Sequence, residues 1–254
     1  MSPSSPVDSA PTAAILVIGN EILSGRIQDA NIAWLAGRFV EIGIRLREAR
    51  VVADIEEEIV AAVRALSERY DYVFTTGGIG PTHDDITADS VAKAFDVPIA
   101  ENAEAARRLS DRFGPAPPNS ARMRMARIPE GAVLLDNPVS AAPGFRIGNV
   151  FVMAGVPAIM RSMFDALAPM LGGGPKMLQR TVSCGLGESA LAEALGAIQG
   201  QHPQVEIGSY PWFRQGGYGV SLVGRSIDAA ELDATMREIA GMIRMLGGEP
   251  SETD

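Results

Sequence analysis

Residues 13–19, AAILVIG, are apolar without a break and close on glycine, the pattern of a strand buried on both faces. From 29 to 42 (DANIAWLAGRFVEI), Ile32, Leu35, Phe39 and Ile42 recur at helical spacing, with Asp29 placed as an N-cap. Residues 44–52 alternate charged and apolar positions and predict a second strand. The segment 54–69 (DIEEEIVAAVRALSER) predicts a helix whose early acids favour its positive end. A third strand follows at 70–76. Strand and helix alternate, so the strands run parallel with right-handed crossovers, and the fold class is α/β: a three-layer α/β/α domain around a mainly parallel sheet.

The pattern then loosens. Helices are expected from about Asp84 through Phe95, over 102–113 and over 160–171, and short strands at 132–135 and 149–153. GPAPP (114–118) reads as a rigid loop, and GGGP at 172–175 opens the clearest linker, 172–176. Beyond it, 177–248 reads as strand, helix, strand, strand, helix, a βαββα unit that can make a second small two-layer domain. It carries no recognisable catalytic group. The expected organisation is a disordered tail at 1–12, a domain at 13–171, the linker, the small domain at 177–248 and a tail at 249–254.

Composition narrows the partners. The 254 residues are 46% hydrophobic, enough for a sizeable core. Only 6% are aromatic and the formal net charge is −9, which argues against a nucleic-acid backbone as partner. Cys184 is the sole cysteine and His83 and His202 the only histidines, so neither a disulfide nor a Cys/His zinc cluster is expected. A reducing, cytoplasmic location fits. The first residues, MSPSSPVDSAPT, have no signal-peptide pattern, and no apolar run suggests a membrane span. The 11 methionines, Trp34 and Trp212 read as packing residues.

The chemistry concentrates in TTGGIGPTHDDIT, residues 75–87, at the carboxyl end of the third strand. Gly77, Gly78 and Gly80 can bring backbone N–H groups close to an anion, and ligands of open α/β sheets bind at this edge. The stretch matches neither the Rossmann glycine pattern nor a P-loop, and a structural turn explains the glycines equally well. Asp84 or Asp85 could cap the helix. Two acids together exceed one cap, and a carboxylate here could hold a divalent cation shared with phosphates. Thr76, Thr82 and Thr87 flank them, and His83 reads as an exposed loop residue. A second segment, GNEILSGRIQDAN (19–31), places Asn20, Glu21, Ser24, Asp29 and Asn31 at the same edge, each alternatively a loop or cap residue. A third, DNPVSAAPGF (136–145), is a Pro/Gly loop that could wall the pocket, with Pro143 and Gly144 as its candidate ligand-binding residues.

GNEILSG, DAN, TTGGIGPTHDDIT, PEGA, NPVSAAPGF and AGVP in this order resemble the molybdopterin-binding-like superfamily of MoaB and Mog proteins, closest to the N-terminal domain of CinA-type proteins. The resemblance covers about 13–171; the βαββα segment resembles the small second domain of CinA-type chains more loosely. It implies a pocket for a small phosphorylated ligand, an adenine nucleotide or a pterin, with Asp85 in the active site, Asp29 near a second acidic position, and a homo-oligomer. For CinA-type domains it implies cleavage of ADP-ribose to AMP and ribose 5-phosphate with a divalent cation (Mg, Mn or Co) held by Asp85, with Asp84, Asp29 or Glu21 assisting. Molybdopterin binding or adenylylation, and nucleotide binding without turnover, are the alternatives. Two departures bear on them: Asp84 occupies the position of an arginine in the Mog-type pattern, and Ile159 replaces a carboxylate of the CinA segment GVPxEM. CinA's C-terminal deamidase domain has no counterpart here, so nicotinamide mononucleotide deamidation is not expected.

Overall fold

In the computed structural model, residues 10–115, 117, 120–214 and 217–253 are described. Two compact units emerge, a larger one at Pro11–Gly173 and a smaller one beginning at Gly174.

In the larger unit, β1 (Thr12–Ile18) leads through a short helix α1 (Asn20–Leu23) to α2 (Asn31–Ile42) and β2 (Arg45–Val52). Next come α3 (Glu56–Arg69), β3 (Tyr72–Thr76), α4 (Thr87–Ala94), β4 (Ile99–Glu101) and α5 (Ala103–Phe113). A 3-10 turn at Ala121–Ala126 precedes β5 (Arg127–Pro129), β6 (Val133–Leu135), β7 (Gly144–Ile147), β8 (Val150–Met153) and α6 (Pro157–Leu167). The six-stranded sheet has the order β2-β1-β3-β8-β7-β6. Its first four strands are parallel, and β7 and β6 extend it antiparallel. This is the mainly parallel sheet expected.

The continuous apolar run of β1 is explained by helices on both faces. Ala14, Leu16 and Ile18 join one core layer with α3, α4 and α5; Ala13, Ile15 and Val17 join the other with α2 and α6. The same period of two carries Val73 and Val152 to the first layer and Phe74, Phe151 and Met153 to the second. There Phe74 stacks on Phe151 at 5.1 Å between centroids, with Phe39 4.9 Å from Phe74. Helix ends follow local chemistry: α2 stops at left-handed Gly43, Asn102 caps α5, and Pro157 occupies the first turn of α6.

In the smaller unit, β9 (Leu178–Cys184), α7 (Glu188–Gln201), β10 (Glu206–Arg214), β11 (Gly217–Ser226) and α8 (Ala229–Met245) give the expected βαββα order. The antiparallel sheet runs β10-β11-β9-β12, with β12 at Ser251–Thr253. Val182, Cys184, Val220 and Leu222 on one sheet face meet Leu191, Ile198, Leu232, Ile239 and Ile243 of the helices.

Several expectations change. The tail at 249–254 is partly ordered, because 251–253 pair with β9 as a fourth strand. Of the tail expected over 1–12, residues 1–9 lie outside the described residues and Thr12 already begins β1. Within the GPAPP loop, residues 116 and 118 lie outside them too. The helix expected from Asp84 starts three residues later, at Thr87, and the one expected at 160–171 runs from Pro157 to Leu167 before a 3-10 turn. Gly144 and Phe145, expected as the end of a loop, begin strand β7 (Gly144–Ile147). No helix among the described residues is long and apolar enough to cross a membrane.

Candidate functional site

The chain leaves β3 through Gly77 and Gly78, both at positive φ (105° and 66°). A Cβ on Gly77 would collide with the Ile18 carbonyl, and one on Gly78 with the Thr87 hydroxyl. The turn therefore needs glycine for its own geometry before any ligand is considered. Thr87, fully buried, donates from Oγ1 to the Gly77 carbonyl at 2.9 Å and from its N–H to the Gly78 carbonyl at 3.0 Å. These bonds hold the loop while the amides of Gly78, Ile79 and Gly80 make no hydrogen bond among the described residues. Three free donors at the carboxyl end of a central strand form a candidate anion cradle.

Asp85 closes this loop. Its Oδ2 accepts from the Thr82 N–H at 2.8 Å and the Thr82 hydroxyl at 2.5 Å. Oδ1 has no partner among the described residues. A side chain bonded back to its own turn competes with helix formation, which explains why α4 begins only at Thr87. Asp84, one residue earlier, is 62% exposed and lies outside the cleft lining; His83 is 97% exposed.

The cleft above the loop holds about 460 Å³. One side is the glycine loop with Asp85. Glu21, Gln28, Asp29 and Asn31 form another, and Gly155, Val156 and Ile159 at the start of α6 a third, with Asn137 and Ser140 also in the lining. Asp29 is not the residue immediately before α2 but still serves its first turn, accepting the Ile32 N–H at 2.8 Å through Oδ1. Asn31, 4% exposed, donates through Nδ2 to the Gly155 carbonyl at 2.8 Å, tying two walls together. Its Oδ1 is buried without a partner.

Of the residues expected in the site, Asp85, Asp29, Glu21, Asn31, Gly77, Gly78 and Gly80 line the cleft together. The others are placed elsewhere. Asn20 is exposed, its N–H bound to Asp54 at 2.8 Å, and Ser24 bonds to the Glu21 carbonyl at 3.3 Å. Thr76 is buried at the end of β3 and Thr82 and Thr87 support the loop. Pro143 lines a small adjoining pocket, and Gly144 is buried in β7, where a Cβ would strike the Val152 carbonyl. Gln28, Asn137 and Ser140 also line the cleft; none was singled out, although each lies in a segment expected at the site. Only Asn137 carried a usable signal: an asparagine before proline, whose Oδ1 accepts the Val139 and Ser140 N–H groups and whose Nδ2 donates to the Ala142 carbonyl.

Among the described residues, no three His, Cys, Asp or Glu side chains converge closely enough to hold a metal by themselves. The donor set around the cleft is all oxygen: Asp85 keeps Oδ1 free, Asp29 keeps Oδ2, and Glu21 makes no side-chain hydrogen bond. That suits a hard cation completing its shell with water and phosphate oxygens, not a cation caged by protein.

Residues 14–173 match the model of the probable molybdopterin binding domain family. A protein of Pyrobaculum calidifontis is 37% identical over 79% of this chain and 81% of its own length. A CinA-like protein of Gloeobacter violaceus is 35% identical over 92% of this chain. The chain belongs to the molybdopterin-binding, CinA-like family. The solved CinA structure from Thermoplasma acidophilum shares the family fold, with TM-score 0.60 and 33% identity over 63% of this chain and 98% of that one. The match spans 59% of the Gloeobacter violaceus protein and 46% of a CinA-like protein of Shewanella amazonensis. Residues 176–246 match a second model, the middle domain of FAD synthase. In this CinA-like chain Ile159 lines the cleft, so the departure from GVPxEM puts an apolar side chain at the site itself.

Proposed function

We propose that the cleft binds a nucleotide diphosphate and hydrolyses it, with ADP-ribose as the representative substrate. The observation that carries this reading is the meeting of three unbonded amides, Gly78, Ile79 and Gly80, with the half-free carboxylate of Asp85 at one sheet edge. The amides orient phosphate oxygens. Glu21, Asp29 and the unpartnered Asn31 Oδ1 offer acceptors to ribose hydroxyls or to the attacking water. Water adds across one P–O bond of the diphosphate, and its two protons end on the products, AMP and ribose 5-phosphate. A divalent cation would be held by Asp85 Oδ1 together with the phosphates; when bound it neutralises the diphosphate and activates the nucleophile. Thr82 fixes Asp85 in the orientation this requires.

Purified protein incubated with ADP-ribose and Mg²⁺, Mn²⁺ or Co²⁺ is expected to release AMP, and Asp85→Asn to lose at least about a hundredfold in rate while unfolding at the same temperature. AMP release absent with all three metals, or undiminished in Asp85→Asn, would refute the reading. FAD belongs in the same substrate panel, given the similarity to the FAD synthase middle domain. The match to a probable molybdopterin binding domain favours a pterin as the second reading. Mass spectrometry of the ligand that copurifies decides between pterin and adenine nucleotide.

A further inference from the structure

The cleft has a charge problem. Glu21, Asp29 and Asp85 line it, and among its described lining residues there is no lysine or arginine. A diphosphate brings further negative charge, and neutral amides offset only part of the repulsion. The adjoining small pocket shares Gly78, Ile79, Gly80, Asp85 and Met125 with the cleft, and two arginines border it. Arg127 is committed, ion-paired to Asp89. Arg124 is exposed, and its side chain makes no hydrogen bond or ion pair among the described residues. It sits in the 3-10 turn Ala121–Ala126, one residue before Met125, and lines the pocket that shares the glycine loop with the cleft, whereas Glu21 and Asp29 line only the cleft.

We propose that Arg124 receives the ligand's phosphate at the glycine-loop end of the cleft and is the residue that selects phosphorylated over unphosphorylated ligands. This deepens, and rests on, the phosphate-binding reading above. A guanidinium offers a planar fork of donors to phosphate oxygens, and one with no carboxylate partner has no ion pair to break first. The arrangement also assigns direction: phosphate toward Arg124 and Gly78–Gly80, hydroxyl-bearing parts toward Glu21, Asp29 and Asn31.

The test is calorimetric titration of the full chain, in Mg²⁺, with inorganic pyrophosphate, a non-hydrolysable methylene analogue of ADP-ribose, and adenosine. Arg124→Gln is expected to weaken both anions about tenfold or more, the scale of a lost charge-assisted hydrogen bond, and to leave adenosine unchanged. Arg124→Lys should recover part of the loss, and Arg127→Gln should fall well short of it. Pyrophosphate affinity within about twofold of wild type in Arg124→Gln, an equal loss for adenosine, or no pyrophosphate binding by wild type would overturn the proposal. If wild type binds pyrophosphate but does not cleave ADP-ribose, hydrolysis fails as a reading while the pyrophosphate comparison still decides the role of Arg124.

Discussion

The two units treat polar groups in opposite ways. In the larger one, several buried polar atoms lack partners, and the Gly78–Gly80 amides, Asp85 Oδ1 and the buried Asn31 Oδ1 are open together at one sheet edge. In the smaller one, two polar clusters among the described residues are closed on themselves. His202 bridges Glu231 at 2.8 Å and Glu238 at 2.9 Å, and the Ser183 and Ser221 hydroxyls meet at 2.8 Å. Buried polar groups cost stability unless paired, so an edge that leaves several unpaired is one that a ligand can complete. The larger unit is therefore the one that presents open donors and acceptors together with a glycine turn.

Core packing in the smaller unit supplies the largest effect. Leu222, fully buried between β11 and the helices, contributes by packing alone. Leu222→Ala should destabilise that unit by about 3 kcal/mol, seen as faster hydrogen exchange of the β9 and β11 amides. Protection equal to wild type would mean the unit is not held by this core.

Next comes the glycine turn. Gly77→Ala must place a methyl group against the Ile18 carbonyl at a backbone angle that alanine avoids. A stability loss of about 2 kcal/mol is expected, together with weaker pyrophosphate binding by the folded protein. Unchanged stability and binding would show that the turn is not the rigid cradle described.

The His202 bridge predicts a smaller, pH-dependent effect. Hydrogen bonds to Glu231 first and Glu238 second hold the His202 pKa above its usual value. A raised folded-state pKa means the bridge stabilises fully below about pH 6.5, the value of the unfolded histidine, and ceases to do so as pH rises through the folded value. The stability difference between wild type and His202→Gln should therefore narrow from pH 6 to alkaline pH, by thermal unfolding. A gap that widens with pH would contradict the bridge.

The smallest effect separates neighbours. Asp84→Asn should leave turnover within about twofold, since its side chain is exposed outside the lining, whereas its neighbour Asp85 is expected to be essential. Equal losses at both positions would break the distinction.

Much of this was legible before folding was considered. The unbroken run Ala13–Ile18 is buried on both faces because α2 and α6 cover one and α3, α4 and α5 the other. Periodicity finds such strands directly. It cannot find β7 or β12: GFRI and SET become strands only by pairing with β8 and β9, partners set by the tertiary fold. The cleft divides similarly. Asp85, Asp29 and Glu21 stood out as acids beside glycine turns, but Thr87 resembled a ligand residue and is a buried brace. Gln28 and Ser140 carry no local signal, and their place at the cleft depends on loop paths. The unlike fates of Asp84 and Asp85 rest on the path of the turn, which puts Asp85 in the cleft lining and leaves Asp84 exposed outside it.

The central claim is that phosphate lies on the glycine loop, and it is tested most directly by a crystal structure with a non-hydrolysable methylene analogue of ADP-ribose and Mg²⁺. The predicted result places a phosphate within hydrogen-bond distance of the Gly78–Gly80 amides, with Asp85 facing the cation. Phosphates bound away from that loop, or a ligand outside the cleft, would contradict the account.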